Sequence, residues 1–277
     1  MKRSNQRLIA AAIASVTSAG CALALDTSGL SGGGSSEQDT TAEAGAASEA
    51  APGSNGAHDA GLDGDAVPVI ARDSFSRTVS DELGAAEIGG TWSTVGASAA
   101  FSVSDGAARI LLEQSSTRRA ELTGVATNDA DVMIVIMTDK VPIGTPYLGV
   151  LGRAVGSAEY RCRLVIEGGA ARATITRADS DDALTHLAAS APLFQVVAGE
   201  PMAVRCQAAG TAPTMLRIKI WRAALGEPAA WTLTASDATA ALQRTGTVGV
   251  HFYMGDSDGA LRVSLDDLLV RPASRMP

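Results

Sequence analysis

The sequence predicts an all-β protein whose strands form a two-layer sandwich or a barrel. From residue 73 onward, short segments rich in β-branched and apolar residues recur, and Gly, Asp, Asn and Pro separate them. In several of these segments apolar and polar residues alternate, which places one face of the strand in the core and the other in solvent. Residues 67–277 suffice for one domain whose core buries roughly 70% of the surface of the unfolded chain.

The predicted strands are, in order, 73–77, 91–94, 99–103, 107–113, 119–123, 131–138, 147–154, 159–167, 171–177, 184–188, 202–208, 215–221, 230–234, 247–254 and 261–270. The side chains that the clearest alternation assigns to the core are Tyr160, Cys162, Leu164, Ile166, Met202, Val204, Cys206, Leu216, Ile218 and Ile220. Residues 131–138 are apolar on both faces, which indicates a central strand. The one predicted helix is 238–243, with Asp237 as its N-cap and Gly246 beyond its end.

Residues 1–21 have the pattern of an export signal. A basic start is followed by the apolar run 8–20, which is too short at 1.5 Å per residue to cross a bilayer core of about 30 Å. The end of this run resembles a lipobox, in which Cys21 is lipidated, although Ser18 departs from that pattern. Ala22-Leu23-Ala24 also fits an ordinary signal peptidase. We expect an exported cell-surface lipoprotein, with a secreted protein as the alternative.

Residues 22–66 are predicted to be a disordered, flexible linker. They are rich in Gly, Ser and Ala, and they contain eight acidic residues but no Lys, Arg, Phe, Tyr or Trp. The formal net charge of the whole chain is -8, whereas residues 67–277 hold 19 basic and 22 acidic residues. A nearly neutral domain has no general attraction for nucleic acid, so this class of partner is excluded. We expect a monomer that contacts a membrane only through the lipid anchor.

The order of landmarks along the chain resembles concanavalin-like jelly-roll domains, LamG-like in shape, which are attached to secreted bacterial proteins. The segments that carry this resemblance are DSFSRTVSDELGAAEIGGTW (73–92), FSVSDGAARI (101–110), TNDADV (127–132), LGRAVGSAEYRCRLVI (151–166), GTAPTMLRIKIW (210–221), GEPAAWTLTASDATAAL (226–242), GTVGVHFY (246–253) and VSLDDLLV (263–270). The resemblance implies a jelly-roll sandwich of two antiparallel sheets. It also implies a glycan-binding, adhesive or accessory module, because such domains serve these roles.

No catalytic signature accompanies this resemblance. Retaining glycosidases need two carboxyl groups about 5 to 5.5 Å apart, and the E-x-D-x-x-E run that often supplies them is absent. The nearest groupings, such as Glu159 with Glu167, look like strand-edge positions. His186 and His251 are the histidines of the domain, and no G-x-S-x-G motif accompanies them. The sequence therefore predicts a protein that is not an enzyme, with a glycosidase or lyase as an alternative.

The predicted ligand-binding face centres on Trp221, because an aromatic ring can stack on the C–H face of a sugar. Arg217 and Lys219 share its side of the strand, and we expect Arg161, Arg163 and Arg205 beside them. Such a basic face would suit an acidic polysaccharide. The alternative is an ordinary solvated sheet face with Trp221 under the edge of a loop. A second predicted set is Tyr147, Arg153 and Tyr253, while Trp92 and Trp231 are interpreted as core or sheet-edge packing.

Acidic residues near both ends of the domain predict a structural calcium site as the one cofactor. Asp73 opens the first predicted strand, and Asp266 and Asp267 are neighbours on the last one, so alternation should turn one of them inward. An inward carboxylate needs backbone N–H groups, an arginine or a hard cation as its partner. Capping or turn hydrogen bonds are the alternative interpretation.

Cys162 and Cys206 are a possible disulfide pair. Both are predicted on core faces, on strands that we expect to be neighbours in one sheet, and export would permit the bond. Two buried free thiols are the alternative. Zinc is not predicted, because the two residues lack nearby His or Cys partners at ligand spacing.

Together these patterns predict a noncatalytic recognition module that binds a glycan or another extracellular polymer of a surface or matrix. A structural or protein-interaction module is the first alternative. A carbohydrate-active enzyme is the second.

Overall fold

The computed structural model describes residues 68–180, 183–256 and 259–274. The predicted signal sequence 1–21, the lipidation site Cys21 and the predicted linker 22–66 lie outside the described residues. The strands are Ala71–Asp73 (β1), Val79–Ser80 (β2), Trp92–Val95 (β3), Phe101–Ser104 (β4), Ala107–Leu112 (β5), Thr117–Leu122 (β6), Ala130–Thr138 (β7), Pro146–Val155 (β8), Ala158–Glu167 (β9), Ala170–Ala178 (β10), Leu184–Ala189 (β11), Phe194–Gln195 (β12), Met202–Ala209 (β13), Thr214–Arg222 (β14), Leu233–Asp237 (β15), Thr247–Met254 (β16) and Leu261–Pro272 (β17). Short 3-10 turns occupy Ser98–Ala100, Ala223–Leu225 and Ala240–Leu242.

These strands form two antiparallel sheets, as predicted. Sheet I has nine strands in the order β15-β14-β13-β7-β17-β5-β4-β2, and β1 pairs with β17. Sheet II has eight strands in the order β11-β10-β9-β8-β16-β6-β3, and β12 pairs with β10. Among the described residues, no helix is both long and apolar enough to cross a membrane.

The core lies between the two sheets and follows the alternation of the sequence. Leu164 of sheet II and Ile218 of sheet I are fully buried, as their positions predicted. Residues of β7 that face the core, such as Ile134, are also fully buried, and β7 lies between β13 and β17 as the predicted central strand. Period-two patterning therefore assigns the faces of these strands correctly.

The structure differs from the sequence prediction where backbone turns interrupt the pattern. The predicted helix 238–243 is only one 3-10 turn, although the carboxylate of Asp237 does accept the N–H of Thr239 at 2.9 Å. The first strand ends at Asp73 instead of continuing to residue 77, because Phe75 has a φ of 50°. Strands β2 and β12 have two residues each, too few to show alternation in the sequence.

Cys162 and Cys206 form a disulfide that crosses the core. Cys162 lies on β9 of sheet II and Cys206 lies on β13 of sheet I, with Cα atoms 5.7 Å apart. The expectation that these strands are neighbours in one sheet was wrong. Each cysteine points inward from its own sheet, so their side chains meet in the space between the layers.

Asp73 is buried with four donors around its carboxylate. Arg77 donates two hydrogen bonds, at 2.7 and 2.8 Å, Trp92 Nε1 donates a third at 2.7 Å, and the N–H of Phe75 donates a fourth at 2.9 Å. Backbone N–H groups and an arginine were two of the partners considered for an inward aspartate. Asp73 has both, so the burial of its carboxylate requires no cation. Calcium stays an untested prediction.

The two other predicted calcium ligands do not join Asp73. The expectation that Asp266 or Asp267 faces inward was wrong, since Asp266 is half-buried and Asp267 is exposed. The pairing register shifts between Asp266 and Leu269, and Asp267 has a φ of 49°. This bulge breaks the alternation and keeps both carboxylates out of the core. Within the described residues, no three His, Cys, Asp or Glu side chains are placed to hold a metal ion.

Candidate functional site

The outer face of sheet II carries a polar groove made of two adjoining depressions of about 220 and 290 Å³. The side chains common to both depressions are Thr117, Arg161 and His251. The further residues that line one or the other are Val95, Arg119, Ser157, Glu159, Arg163, Leu184 and Tyr253. We call this surface the sheet II groove.

Strand register explains why these side chains meet. Gly149 at the centre of β8 pairs with Arg163 on one side and with His251 on the other. Directly paired residues of antiparallel strands point to the same face of a sheet, so Arg163 and His251 flank a position without a side chain. A Cβ atom on Gly149 would lie 3.4 Å from Arg163 Cγ and 2.8 Å from the carbonyl oxygen of His251. Glycine therefore leaves the floor of the groove open for the stem of Arg163.

Arg163 is a buried cation whose partners are incomplete. Only 4% of the residue is exposed, and its Nε donates a hydrogen bond to the hydroxyl of Thr174 at 3.3 Å. Its guanidinium carbon lies 5.1 Å from the ring centroid of Tyr147. Its Nη2 atom is buried without a hydrogen-bond partner, and no described carboxylate pairs with it. Burial, with a smaller effect from the charge of Arg161, lowers the pKa of Arg163 to about 10.

Glu159 is the anionic centre of the groove. Its Oε1 lies 2.6 Å from His251 Nδ1 and also contacts Arg161 Nε, while its Oε2 lies 3.1 Å from Arg119 Nε. Burial acts to raise the pKa of Glu159, but the contact with His251 and the charges of both arginines outweigh it and hold the pKa below its ordinary value. The carboxylate is therefore ionised and shared among three basic side chains.

The charges around the groove do not cancel. Arg119 also pairs with Glu121 at 2.8 Å. Three arginines, namely Arg119, Arg161 and Arg163, therefore face two carboxylates. One positive charge is left over even with a neutral His251, and Arg163 is the arginine without an ion pair.

Two tyrosines form an aromatic rim beside Arg163. The ring centroids of Tyr147 and Tyr253 lie 6.1 Å apart with a 32° tilt, and Tyr253 is 40% exposed. An exposed ring next to fixed hydrogen-bond donors is the combination that a sugar-binding surface needs. Arg153, predicted in the same set, does not belong there. It is fully buried and donates to the carbonyl oxygens of Leu242 and Gly210, so its role is structural.

The structure divides the main predicted ligand-binding face between two sheets. Arg205, Arg217 and Lys219 lie on sheet I, whereas Arg161 and Arg163 lie on sheet II, so the expected single basic face was wrong. The sequence shows which side of its own strand a residue occupies. It does not show which sheet that strand joins.

Trp221 is not the exposed ring that was expected. It is only 7% exposed and lines an apolar depression together with Phe194, Leu225 and Trp231. Segments near residues 194 and 225 lie around the end of β14, which agrees with the alternative of a Trp under a loop edge. Its expected role as the sugar-stacking residue is therefore not supported.

Trp231 is the aromatic residue that the cations of sheet I contact. The side-chain cations of Arg205, Arg217 and Lys219 lie 5.6, 5.7 and 4.8 Å from its ring centroid. This half-buried ring had been interpreted as core or edge packing.

Most of the charge on the sheet I face is compensated internally. Arg205 pairs with Asp131 at 2.7 Å and with Glu227 at 2.6 Å, and Lys219 pairs with Glu227 at 2.8 Å. Hydrogen bonds to Asp131 raise the pKa of Arg205 above its ordinary value. Arg205 and Lys219 are therefore paired with carboxylates of the same face, whereas the guanidinium of Arg217 contacts the ring of Trp231.

Glu159, His251 and Arg119 were not predicted to form one cluster. Alternation in 247–254 places His251 and Tyr253 on the same face of β16, which is the local signal that was present. The missing information was that β16 pairs with β8 and β6, and that β9 pairs with β8. The pairings of β16 join residues far apart in the chain, such as His251 with Gly149 and Arg119, whereas β8 and β9 are consecutive strands.

Comparison with known proteins shows the fold but no family. No protein-family model and no curated protein sequence matches the chain. Among solved structures, alginate lyase Aly36B superposes with a TM-score of 0.52 at 10% identity, over 76% of this chain and all of that one. A bifunctional GH43-CE protein of Bacteroides eggerthii gives a TM-score of 0.52 at 10% identity, over 75% of this chain and 26% of that one. LamA_E269S of Z. galactanivorans, in complex with laminaritriose and laminaritetraose, gives a TM-score of 0.50 at 10% identity, over 73% of this chain and 98% of that one.

The fold is a concanavalin-like jelly-roll sandwich. At these identities the likeness establishes the architecture alone. The function has to be inferred from the site.

Proposed function

We propose that this protein is a noncatalytic recognition module that binds a glycan in the sheet II groove. The observation that carries the proposal is the tilted pair of Tyr147 and Tyr253 beside the buried guanidinium of Arg163. The exposed ring of Tyr253 offers an apolar platform, and the arginine offers donors that can fix the orientation of a sugar. The carbohydrate-related neighbours of the same fold support this choice of ligand class.

The electrostatics of Glu159 support binding rather than hydrolysis. A glycosidase needs a carboxylic acid with a raised pKa that can protonate the leaving group. Glu159 has a lowered pKa and contacts three basic side chains. It is therefore suited to fix Arg161 and His251 in place and unsuited to donate a proton.

A carbohydrate lyase is the second candidate function. The observation that favours it is the 2.6 Å approach of Glu159 Oε1 to His251 Nδ1, because a carboxylate beside one imidazole nitrogen leaves Nε2 for a proton transfer. Incubating the protein with a polyuronate and following the ultraviolet absorbance of an unsaturated sugar tests this function. A signal that disappears in His251→Gln would replace the noncatalytic proposal.

A glycan array probed with the full chain tests the leading proposal. We expect binding that Tyr253→Ala weakens by roughly fivefold, since one aromatic platform contributes about 1 kcal/mol. Trp231→Ala is the matched control, because it removes a half-buried ring that lies against the cations of the opposite sheet. Loss of binding in Trp231→Ala alone would move the site to sheet I. A lack of binding to any glycan would favour the structural or protein-interaction module.

The proposal also includes the cellular location. The pattern of residues 1–21 supports export, and Cys21 supports a lipid anchor from which the segment 22–66 holds the domain away from the membrane. Metabolic labelling with a fatty acid tests the anchor. We expect the label in the wild-type chain and none in Cys21→Ser. A labelled Cys21→Ser chain or an unlabelled wild type would favour secretion.

A further inference from the structure

We infer that the ligand of the sheet II groove is an anionic sugar and that Arg163 receives its carboxylate or sulfate group. This inference rests on the proposed function, because it names the chemical class of ligand for the same groove. Three observations carry it: the burial of Arg163 without a counter-ion, the surplus of positive charge around it, and the open depression that it lines.

The first observation concerns the cost of burying Arg163. A buried cation without an anionic partner is strongly unfavourable, so native proteins pair such groups or saturate them with hydrogen bonds. Arg153 of the same protein comes closer to this rule, because both of its Nη atoms donate to backbone carbonyls and only its Nε is buried without a partner. Arg163 has instead one hydroxyl at 3.3 Å and the ring of Tyr147, with Nη2 left without a partner. The missing partner is an acceptor, and an anion would satisfy it best.

The second observation is that the neighbours of Arg163 cannot supply this anion. Glu159 already contacts Arg161, Arg119 and His251. Arg161 is itself a cation, so its charge opposes that of Arg163. An oxyanion between the two guanidinium groups would relieve their repulsion and complete the charge balance of the groove. A neutral sugar would do neither.

The third observation is that the site is accessible. Arg161 and Arg163 line the depression of about 290 Å³ together with Tyr253 and His251. This volume is near the lower end of the range for small-molecule sites, and it suits one charged sugar unit of a longer chain. Tyr253 lies at the rim and can stack on the ring of that unit while its acid group reaches Arg163.

Titration calorimetry with the full chain and three oligosaccharides of equal length tests the inference. The probes are an oligogalacturonate, a sulfated galactan oligosaccharide and a neutral β-glucan oligosaccharide. We expect at least one of the two anionic probes to bind about tenfold more tightly than the neutral one, and this advantage should decrease with salt. The better of the two anionic probes identifies a carboxylate or a sulfate as the recognised group.

Arg163→Gln should remove the preference for the anionic probe, whereas Arg217→Gln should leave it unchanged. Arg217 is the matched control, since it is an arginine on the outer face of the opposite sheet. A purely structural Arg163 would instead lower the melting temperature when replaced. We expect Arg163→Gln to melt no lower than the wild type, because the substitution removes an unpaired buried charge.

Two outcomes separate the inference from the function on which it rests. Equal affinity for neutral and anionic probes, or an anionic preference that survives Arg163→Gln, would overturn the inference and leave glycan binding intact. If no oligosaccharide binds, the proposed function fails, and inorganic sulfate tests the anion site alone. A sulfate-dependent rise in melting temperature that is lost in Arg163→Gln would support the site. No rise would overturn it.

Discussion

The disulfide between Cys162 and Cys206 joins the two sheets directly behind the groove. Cys162 lies between Arg161 and Arg163 in β9, so the strand that supplies both groove arginines is covalently linked through the core to β13. Strand β8, the neighbour of β9 in sheet II, leaves space for the disulfide at Gly152, where a Cβ atom would lie 3.1 Å from Cys206 Sγ. The bond therefore holds the strand that carries the groove arginines against the opposite layer.

Removing this disulfide should destabilise the protein considerably. The two cysteines are 44 residues apart, and closing a loop of that length corresponds to about 4 kcal/mol in the chain-entropy model. We expect the double variant Cys162→Ala/Cys206→Ala to lose free energy of unfolding of this order in urea denaturation. Adding a reductant should lower the stability of the wild type and leave the double variant unchanged. Equal stability of the oxidised and reduced wild type would contradict the prediction.

Asp73→Asn should be strongly destabilising, because one substitution disturbs four hydrogen bonds at a buried carboxylate. It removes the charge that pairs with Arg77 and one acceptor for the N–H of Trp92 or Phe75. Breaking a buried ion pair on one side costs about 3 kcal/mol. Asp105→Asn is the matched control, since its pair with Arg109 is exposed and should contribute less than about 1 kcal/mol.

The same pair of variants tests the calcium prediction. Thermal melting of the wild type with and without a chelator measures any contribution of the ion. A chelator-dependent decrease that Asp73→Asn abolishes would support calcium at Asp73. A large loss of stability in Asp105→Asn, with no loss in Asp73→Asn, would show that the buried carboxylate is not the stabilising group.

The fold was predictable from the sequence because its main signal is local. Alternation within 159–167 or 215–221 depends only on neighbouring residues, and it assigned Leu164 and Ile218 to the core correctly. The bulge at Asp267 was not predictable, because its positive φ changes the face of a residue without changing the sequence pattern. Two-residue strands such as β2 escape detection for a different reason, since they are too short to show alternation.

The groove was predictable only in part because strand pairing is not local. Arg161, Arg163 and Tyr253 were identified as binding residues, but they were assigned to separate sets. Antiparallel pairing of β9, β8 and β16 brings them together. Trp221 was expected to be exposed because it lies on the polar side of β14. Trp221 is buried because segments outside the strand pack over it. Period-two patterning does not show which strand faces are covered in this way.

Trp221→Ala should reduce stability without changing ligand binding. Its side chain is almost fully buried, and truncating a buried Trp costs about 3 kcal/mol. Tyr253→Ala should show the opposite behaviour, with weaker glycan binding and a stability change below about 1 kcal/mol. Urea denaturation and calorimetry on both variants make the comparison. Weakened binding in Trp221→Ala at unchanged stability would restore the role that the sequence suggested for this residue.

Acid should remove the stabilisation that Glu159 provides. The folded protein lowers the pKa of Glu159 below its ordinary 4.5, because His251, Arg161 and Arg119 favour the ionised form more than burial disfavours it. A depressed carboxyl pKa stabilises the fold above the unfolded pKa, and this contribution decreases as the pH falls through the folded pKa. The stability difference between the wild type and Glu159→Gln should therefore be largest near neutral pH and should shrink below about pH 4.5.

Urea midpoints measured between about pH 5 and about pH 3 span the interval in which this contribution of Glu159 decreases. Near neutral pH we expect Glu159→Gln to cost about 3 kcal/mol, because it leaves the charge of Arg161 without a counter-ion in a buried site, while Arg119 keeps its pair with Glu121. Glu167→Gln is the control, since Glu167 forms an exposed pair with Arg172 on the neighbouring strand. Its difference from the wild type should stay within about 0.5 kcal/mol at every pH. If the stability difference between the wild type and Glu159→Gln stayed at its full size in acid, His251, Arg161 and Arg119 would not be the groups that hold the carboxylate in its ionised form.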